Sequence, residues 1–168
     1  MTPDEKNAAE QPDGDGETLK GLPFRLDNNP LYLMSGALDR VVANIEAALG
    51  PHRFSQTQWR TLAALSEQSP LSIGALSGLT FVEGSALGRA VAKMEKEGLV
   101  RRQSDAADRR IVRVALTGQG QARLAELKPV VTGEINRALQ SLSQHDLQSL
   151  NAFLRAIAPA ASPNADAE

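Results

Sequence analysis

The chain has 168 residues, of which 42% are apolar and none is cysteine, and its formal net charge is −2. This length is enough for one domain with a buried core, while the lack of cysteine excludes a disulfide framework. The lack of any run of 18 apolar residues excludes a transmembrane helix, and the acidic first residues do not resemble a secretory signal. We expect a cytoplasmic protein without a cofactor or metal, since His52 and His145 are the only histidines.

The charge is distributed unevenly along the chain. Residues 1–20 carry a net charge of −4 and residues 158–168 carry −2, so the body between them carries +4. Within the body, residues 83–113 contain eight basic and five acidic side chains. A local excess of positive charge favours a phosphate-bearing partner. The acidic ends, residues 1–22 and 158–168, are expected to be disordered because they are rich in Pro, Gly, Asp and Glu.

Two helices are predicted in the first part of the body. Apolar residues at steps of three and four predict a helix over residues 30–49, which Gly50 and Pro51 end. Ser55, followed three residues later by Gln58, forms a capping box, so a second helix begins near residue 56. The predicted buried face of this second helix is Trp59, Leu62, Ala63 and Leu65.

Two further helices follow, separated by a turn at residues 80–82. Ser72 is a suitable N-cap for the third helix. The fourth runs over about residues 84–97, and Gly98 suits the left-handed position after its end. The predicted buried residues are Ile73, Leu76 and Leu79 in the third helix and Leu87, Val91 and Met94 in the fourth.

The apolar period then changes from helix to strand. Residues 99–103 and 111–116 predict a β-hairpin around the charged loop SDAADRR. Asp105 and Asp108 in this loop can pair with an arginine or bind loop N–H groups, and so brace the tip that carries Arg109 and Arg110. Taken alone, the loop is more typical of a solvated turn with incidental charges, and the preceding helix-turn-helix pattern is what favours DNA binding.

Two helices end the body. Thr117 is the predicted N-cap of the first, whose apolar seam extends over residues 120–142 with a kink expected at Pro129. The last helix is predicted over residues 144–157. The fold class is therefore mainly α with a small β-hairpin, organised as a winged helix-turn-helix lobe plus a helical region. In a winged helix the fourth helix lies in the DNA major groove and the hairpin tip, or wing, reaches the minor groove, where arginine inserts readily.

Residues 83–120 resemble the MarR (multiple-antibiotic-resistance regulator) family of winged-helix transcription factors. The stretches that carry the resemblance are SALGRAVAKMEKEGLVRR and DAADRRIVRVALTGQG. The family's wing motif, D-x-R followed by an aliphatic residue and L-T-x-x-G, is matched by Asp108, Arg110, Val114, Leu116, Thr117 and Gly120. The resemblance extends more weakly over about residues 31–157 through the order and length of the elements.

The resemblance implies a homodimer that reads a pseudo-palindromic operator in double-stranded DNA. It implies an N-terminal dimerisation helix in residues 23–52, a DNA-binding lobe in residues 53–117 and C-terminal dimerisation helices in residues 118–157. The apolar faces of the terminal helices agree with this, because one small lobe cannot cover them all.

The resemblance also assigns DNA-binding residues. The family pattern S-T-x-S-R in the recognition helix is matched at Ser85 and Arg89 and departs at Ala86 and Gly88. Alanine can touch a thymine methyl but cannot hydrogen-bond a base edge. Lys93 is a candidate backbone contact, although a solvated helix face explains it equally well. The expected DNA-binding residues are Ser85, Ala86, Gly88, Arg89, Lys93, Arg109 and Arg110.

Members of this family often lose DNA when a small aromatic acid binds between the dimer body and the winged lobe. Aromatic walls and a cationic partner for a carboxylate are the groups such a site needs. The candidates here are Tyr32, Arg40, His52, Arg53, Trp59 and Arg60. A tryptophan at the helical spacing of Trp59 is more often a plain core residue, and a histidine after a Gly-Pro turn, as His52 is, is more often a surface residue.

The resulting hypothesis is a dimeric repressor released from its operator by a small aromatic acid or its coenzyme A thioester. The alternative is a helical dimer that acts as a protein-interaction scaffold without sequence-specific DNA binding. An enzyme is not expected, because the chain has no Gly-rich phosphate loop, no metal-ligand spacing and no nucleophile-base pair.

Overall fold

The computed structural model describes residues 18–19, 22–23, 25–105 and 110–157, and most of them are helical. The helices are α1 (Pro30–Leu49), α2 (Gln56–Glu67), α3 (Ile73–Thr80), α4 (Gly84–Lys96), α5 (Gly118–Ala138) and α6 (Gln144–Ile157). The strands are β1 (Thr18–Leu19), β2 (Leu22–Pro23), β3 (Leu71–Ser72), β4 (Val100–Ser104) and β5 (Val112–Leu116). The mainly α fold and the six predicted helices are thus confirmed.

The chain divides into two compact units, residues 1–39 and 40–168, and the boundary falls inside α1. In the first unit, β1 pairs antiparallel with β2 at the end of the predicted acidic tail. The rest of that tail and the predicted tail at residues 158–168 lie outside the described residues. The predicted winged lobe and the predicted C-terminal helices belong to the second unit.

Helices α2, α3 and α5 begin where the predicted caps Ser55, Ser72 and Thr117 place them. Ser55 Oγ accepts a hydrogen bond from the Gln58 amide at 3.2 Å, while Gln58 Oε1 accepts one from the Ser55 amide at 3.0 Å. Ser72 caps α3 through the Ala75 amide at 3.1 Å. Since the first N–H groups of a helix lack intrahelical partners, these side chains satisfy donors that the backbone leaves open.

The predicted hairpin is part of a larger sheet. β4 and β5 pair antiparallel as expected, but β3 adds a third strand, and the order is β3-β5-β4. Leu71 lies opposite Val114, and Ser72 lies opposite Arg113. A two-residue strand shows no alternating pattern, so its pairing is decided by the approach of β5.

The core is built around α2, α3, α4, α5 and the sheet. In α4 the predicted residues Leu87, Val91 and Met94 are fully buried. The predicted faces of α2 and α3 are partly wrong: Gln58 and Thr61 are buried in α2, and Ala75 and Thr80 in α3, whereas Trp59, Ala63 and Ile73 are half-buried and Leu79 is exposed. The polar residues Gln58, Thr61 and Thr80 can be buried because their side-chain oxygens form hydrogen bonds with the local backbone. The Thr61 hydroxyl, for example, donates to the Thr57 carbonyl at 2.7 Å.

The two terminal helices leave apolar side chains uncovered in the single chain. α5 continues through Pro129 but ends at Ala138, before the end of the predicted seam at residue 142. Leu124, Leu127 and Val131 of α5 are buried, whereas Ile135, nearer the end of the helix, is exposed. No residue of α6 is buried, and Phe153 is 65% exposed. Across the described residues, no helix is both long and apolar enough to span a membrane.

Candidate nucleic-acid interface

Helix α4 presents two contrasting faces. Leu87, Val91 and Met94 anchor one face in the core. Arg89 and Lys93, four residues apart, are exposed, and we call this pair the cationic face. Residues at this spacing lie one above the other on a helix. The predicted recognition helix is therefore rigidly seated and exposes two positive charges on one side.

The N-terminus of α4 is capped by Glu83, which the sequence analysis missed. Its carboxylate accepts hydrogen bonds from the Ser85 amide at 2.9 Å, the Ala86 amide at 3.3 Å and the Ser85 hydroxyl. These bonds, led by the Ser85 hydroxyl, lower the pKa of Glu83. The carboxylate form is thus favoured by folding, so this cap is present at neutral pH and is lost as the pH falls through the lowered pKa. An acidic residue directly before an apolar helical pattern was the available signal.

The predicted contact residues of α4 differ in exposure and hydrogen bonding. Ser85 is exposed, and its hydroxyl donates a hydrogen bond to the Glu83 carboxylate, whereas Ala86 is half-buried. A Cβ added at Gly88 would meet no heavy atom within 4 Å, so the packing of this chain does not require glycine there. The bare backbone at Gly88 leaves room for a close neighbour on this side of the helix.

A depression of about 280 Å³ lies between the N-terminus of α2 and α4. Its lining residues are Ser55, Thr57, Gln58, Ala86, Arg89, Ala90 and Lys93. We call it the α2–α4 depression. The cationic face is thereby brought next to the first turn of α2. From the sequence, Ser55 and Gln58 are predicted only as a cap, because their proximity to α4 depends on how the two helices pack.

We define the wing as β4, β5 and the loop between them, and two ion pairs hold its described residues. Glu95 of α4 forms an ion pair with Arg102, whose Nε lies 3.0 Å from Glu95 Oε2, and accepts a hydrogen bond from the Arg102 amide at 3.1 Å. Asp105 pairs with Arg113 across the hairpin. At the base of the loop, the Asp105 amide donates to the Ile111 carbonyl at 2.9 Å. The wing is therefore tied both to the predicted recognition helix and to itself.

The predicted tip residues are described only in part. Arg110 is exposed. Asp108 and Arg109 lie outside the described residues, so their predicted roles stay predictions. Asp105 was predicted to brace the tip arginines, and this stays a prediction; its carboxylate also pairs with Arg113.

The end of the wing is locked to α4 and α5 by Thr117. Its hydroxyl caps α5 through the Gly120 amide at 3.0 Å and donates to the Gly98 carbonyl at 2.7 Å. Gly98 itself has a φ of +73°, the left-handed conformation predicted from the sequence. One threonine thus joins the last turn after α4, the second wing strand and the first turn of α5.

The predicted effector residues are spread over both units. Tyr32 in the first unit and Arg40 and Arg53 in the second are exposed. Trp59 is half-buried against the core. Arg60 donates to the Thr80 carbonyl at the end of α3 at 3.2 Å. Arg60 therefore has a structural partner of its own.

His52 lies in a small polar cluster with α5. Its Nδ1 is 3.8 Å from Glu126 Oε1, and its carbonyl accepts a hydrogen bond from Arg123 Nη2 at 2.6 Å. The Arg123 guanidinium also lies over the Phe54 ring, 5.5 Å from its centroid. This cluster anchors the connection between α1 and α2, so His52 is not a plain surface residue.

Comparison with known proteins agrees with this architecture. The model of the MarR family matches residues 54–111. The chain is 25% identical over 134 residues to the HTH-type transcriptional repressor IacR of Pseudomonas putida, covering 80% of each protein. The crystal structure of a MarR-family transcriptional regulator from Silicibacter pomeroyi is 32% identical, with a TM-score of 0.72 and coverage of 79% of this chain and 90% of that one.

A structure that describes the regulation of DNA binding of Bordetella bronchiseptica BpsR by 6-hydroxynicotinic acid is 22% identical. It has a TM-score of 0.74 and covers 83% of this chain and 99% of that one, which shows a shared fold. The described wing, the helices before it and these similarities in sequence and fold lead to one conclusion: the chain belongs to the MarR family of transcriptional regulators.

Proposed function

We propose that this protein is a dimeric transcriptional repressor that binds a pseudo-palindromic DNA operator and is released by a small aromatic acid or its coenzyme A thioester. The observation that carries the proposal is the cationic face of α4 beside a wing that is tied to the same helix. α4 is the element that enters the major groove, and Arg109 and Arg110 of the wing reach the minor groove.

The bonding around the wing supports DNA binding. A hairpin that is free to move would lose conformational entropy when it binds a groove. The pairs Glu95–Arg102 and Asp105–Arg113 hold the strands in place before DNA arrives. Ser85, Ala86 and Gly88 complete the proposed contact set on α4, with Ser85 exchanging its bond to Glu83 for one to DNA.

The uncovered apolar side chains of the terminal helices support a dimer. In α6, Phe153, Leu154 and Ile157 are exposed, and in α1, Leu31 and Leu38 are exposed. Burying apolar surface contributes about 25 cal/mol per Å², so covering these side chains with a second copy stabilises the assembly. Two lobes related by a two-fold axis then fit two operator half-sites one helical turn apart.

An aromatic acid effector is supported by the family and by the relative whose DNA binding is regulated by 6-hydroxynicotinic acid. The proposed site draws on Arg40, His52, Arg53, Trp59 and Arg60, which all belong to the second unit. Aromatic acids and their coenzyme A esters should raise the melting temperature in a thermal-shift screen, since a ligand stabilises the state that it binds. A true effector should also weaken the DNA complex at the same concentration. A ligand that stabilises the protein without changing DNA affinity would contradict its role as inducer.

Arg110→Ala should weaken operator binding by about 1–3 kcal/mol, because it removes a cation from the minor groove. Gel shift or fluorescence anisotropy at physiological salt measures this loss. Arg137→Ala, which removes the same charge from the exposed surface of α5, is the matched control and should leave operator affinity unchanged. Equal affinity of the wild type and Arg110→Ala would contradict the wing contact. A wild-type protein whose binding shows no steep fall with salt would favour the protein-interaction scaffold over the DNA-binding regulator.

A further inference from the structure

We propose that the α2–α4 depression binds one phosphate of the DNA backbone, with Gln58, Thr57, Arg89 and Lys93 as its donors. This inference rests on the proposed DNA-binding function and deepens it. It adds the first turn of α2 to the interface and assigns Arg89 to the phosphate rather than to a base edge.

The lining of the depression has the chemistry of an anion site. Thr57 and Ser55 contribute hydroxyl groups, Gln58 contributes an amide, and Arg89 and Lys93 contribute two positive charges. No aspartate or glutamate lines it. The depression also lies at the N-terminus of α2, where the helix dipole and the first N–H groups favour negative charge. Each of these contributions has the sign that a phosphate requires.

Gln58 supplies an independent indication of a missing ligand. Its side chain is only 2% exposed, and among the described residues its Nε2 atom has no hydrogen-bond partner. The orientation of the amide is fixed, since the Ser55 amide can only donate and therefore faces Oε1 at 3.0 Å. Nε2 must then point away from the cap. A buried donor without an acceptor costs free energy. Because Nε2 itself is buried, a phosphate oxygen in the depression reaches it only when the lining side chains shift, and the phosphate then supplies the missing acceptor.

The other wall of the depression is shaped to admit such a group. Ala86 and Ala90 are the α4 residues between the cations and α2, and both have small side chains. Arg89 and Lys93 are exposed at its edge. The Lys93 ammonium forms a long ion pair with Glu97, with 3.9 Å between Nζ and Oε1. A surface ion pair at that distance contributes little, so Lys93 can turn to a phosphate at low cost.

A phosphate held here would set the depth and register of α4 in the major groove. Contacts to the backbone position a protein on DNA but carry no sequence information. With Arg89 on the phosphate, base recognition falls to Ser85, Ala86 and the surface around Gly88. Loss of the site should therefore weaken binding to every sequence by the same factor.

The direct test is Gln58→Glu in the full-length chain. Glutamate also completes a capping box with Ser55, so the helix start is retained while the donor is replaced by a carboxylate oxygen. Affinity for an operator duplex and for an unrelated duplex should both fall about tenfold or more, as expected when a hydrogen bond to a charged group is lost. Thr57→Val keeps the side-chain shape and adds no charge, and it should lower the affinities for the operator and the unrelated duplex by the same factor. This variant decides whether the site exists if Gln58→Glu does not fold.

Two measurements separate this site from a general charge effect. Gln56→Glu introduces the same charge at the first residue of α2 but does not line the depression, so it should cost much less affinity. Lys93→Gln should reduce the slope of log affinity against log salt by about 1. Lys93→Gln should also cost less DNA affinity in the Gln58→Glu background than in the wild type, because Lys93 and Gln58 contact the same phosphate.

The outcomes that overturn the site differ from those that overturn the function. Wild-type protein that binds DNA while Gln58→Glu and Thr57→Val bind equally well would remove the phosphate site and leave the repressor intact. A loss for Gln56→Glu as large as that for Gln58→Glu, or a loss confined to the operator duplex, would also overturn it. Wild-type protein that binds no duplex at low salt would overturn the proposed function and the phosphate site together.

Discussion

Gly120→Ala should lower the free energy of unfolding by about 3 kcal/mol or more. A Cβ at this position would overlap the Leu99 carbonyl oxygen and lie 2.7 Å from Leu116 Cδ1. The Leu116 side chain can rotate, but the Leu99 carbonyl belongs to the backbone and also accepts a hydrogen bond from the Thr117 amide. The first turn of α5 must therefore move away from the end of α4. Urea denaturation followed by circular dichroism measures the loss.

Gly118→Ala is the matched control for this variant. Gly118 is the first residue of α5, and an added Cβ would meet no heavy atom within 4 Å. Alanine there should leave stability unchanged or raise it by about 0.4–1 kcal/mol, because it restricts the unfolded chain. If the two variants have the same stability, the close approach of α5 to Leu99 is not a real constraint.

The same contact gives the motif L-T-x-x-G a physical meaning. Thr117 bonds both the Gly98 carbonyl and the Gly120 amide, and Gly120 admits the Leu99 backbone. The wing, the recognition helix and α5 thus meet at one point. A movement of α5 would therefore act directly on α4 and the wing, the elements proposed to contact DNA.

Phe153→Asp should convert the proposed dimer to a monomer and abolish operator binding at concentrations where the wild type is saturated. Removing a buried phenylalanine costs about 3–5 kcal/mol, which is two or more decades in the association constant. Burying an unpaired carboxylate adds to this cost. Sedimentation velocity over a range of concentrations reports the mass, and gel shift reports the operator complex.

Gln148→Glu adds the same charge to the same helix and serves as the control. Five residues correspond to about 500° of rotation, so Gln148 lies about 140° from Phe153 and points away from the exposed apolar side of α6. This variant should sediment and bind DNA as the wild type does. Should Phe153→Asp remain dimeric, the exposed apolar side of α6 is not the interface, and the exposed residues of α1 become the next candidates.

The helices could be predicted because their signals act between neighbours along the chain. The apolar period of residues 30–49, the Ser55–Gln58 box and the left-handed position of Gly98 each concern residues within about one turn of each other. The structure reproduces them with small changes at the ends. The resemblance to the MarR family rested on equally local motifs, and the comparisons confirm it.

Several features of the candidate site could not be predicted in this way. The third strand at Leu71–Ser72 exists only because β5 lies beside it. The pairing of Arg113 with Asp105 depends on the register of the hairpin, which no local pattern fixes. The face of α2 was misjudged at Gln58, since a polar residue is buried there by its own cap and by the proximity of α4.

By itself, the sequence determined the order of the helices, their caps, the wing and the family, because these depend on propensity, period and short-range hydrogen bonds. Only the tertiary structure decided which residues meet: Gln58 with the cationic face of α4, Glu95 with Arg102, and Gly120 with the Leu99 backbone. Such contacts join residues far apart in the chain, and they depend on helix orientation and strand register. Neither the orientation of a helix nor the register of a strand can be predicted from a short stretch of residues.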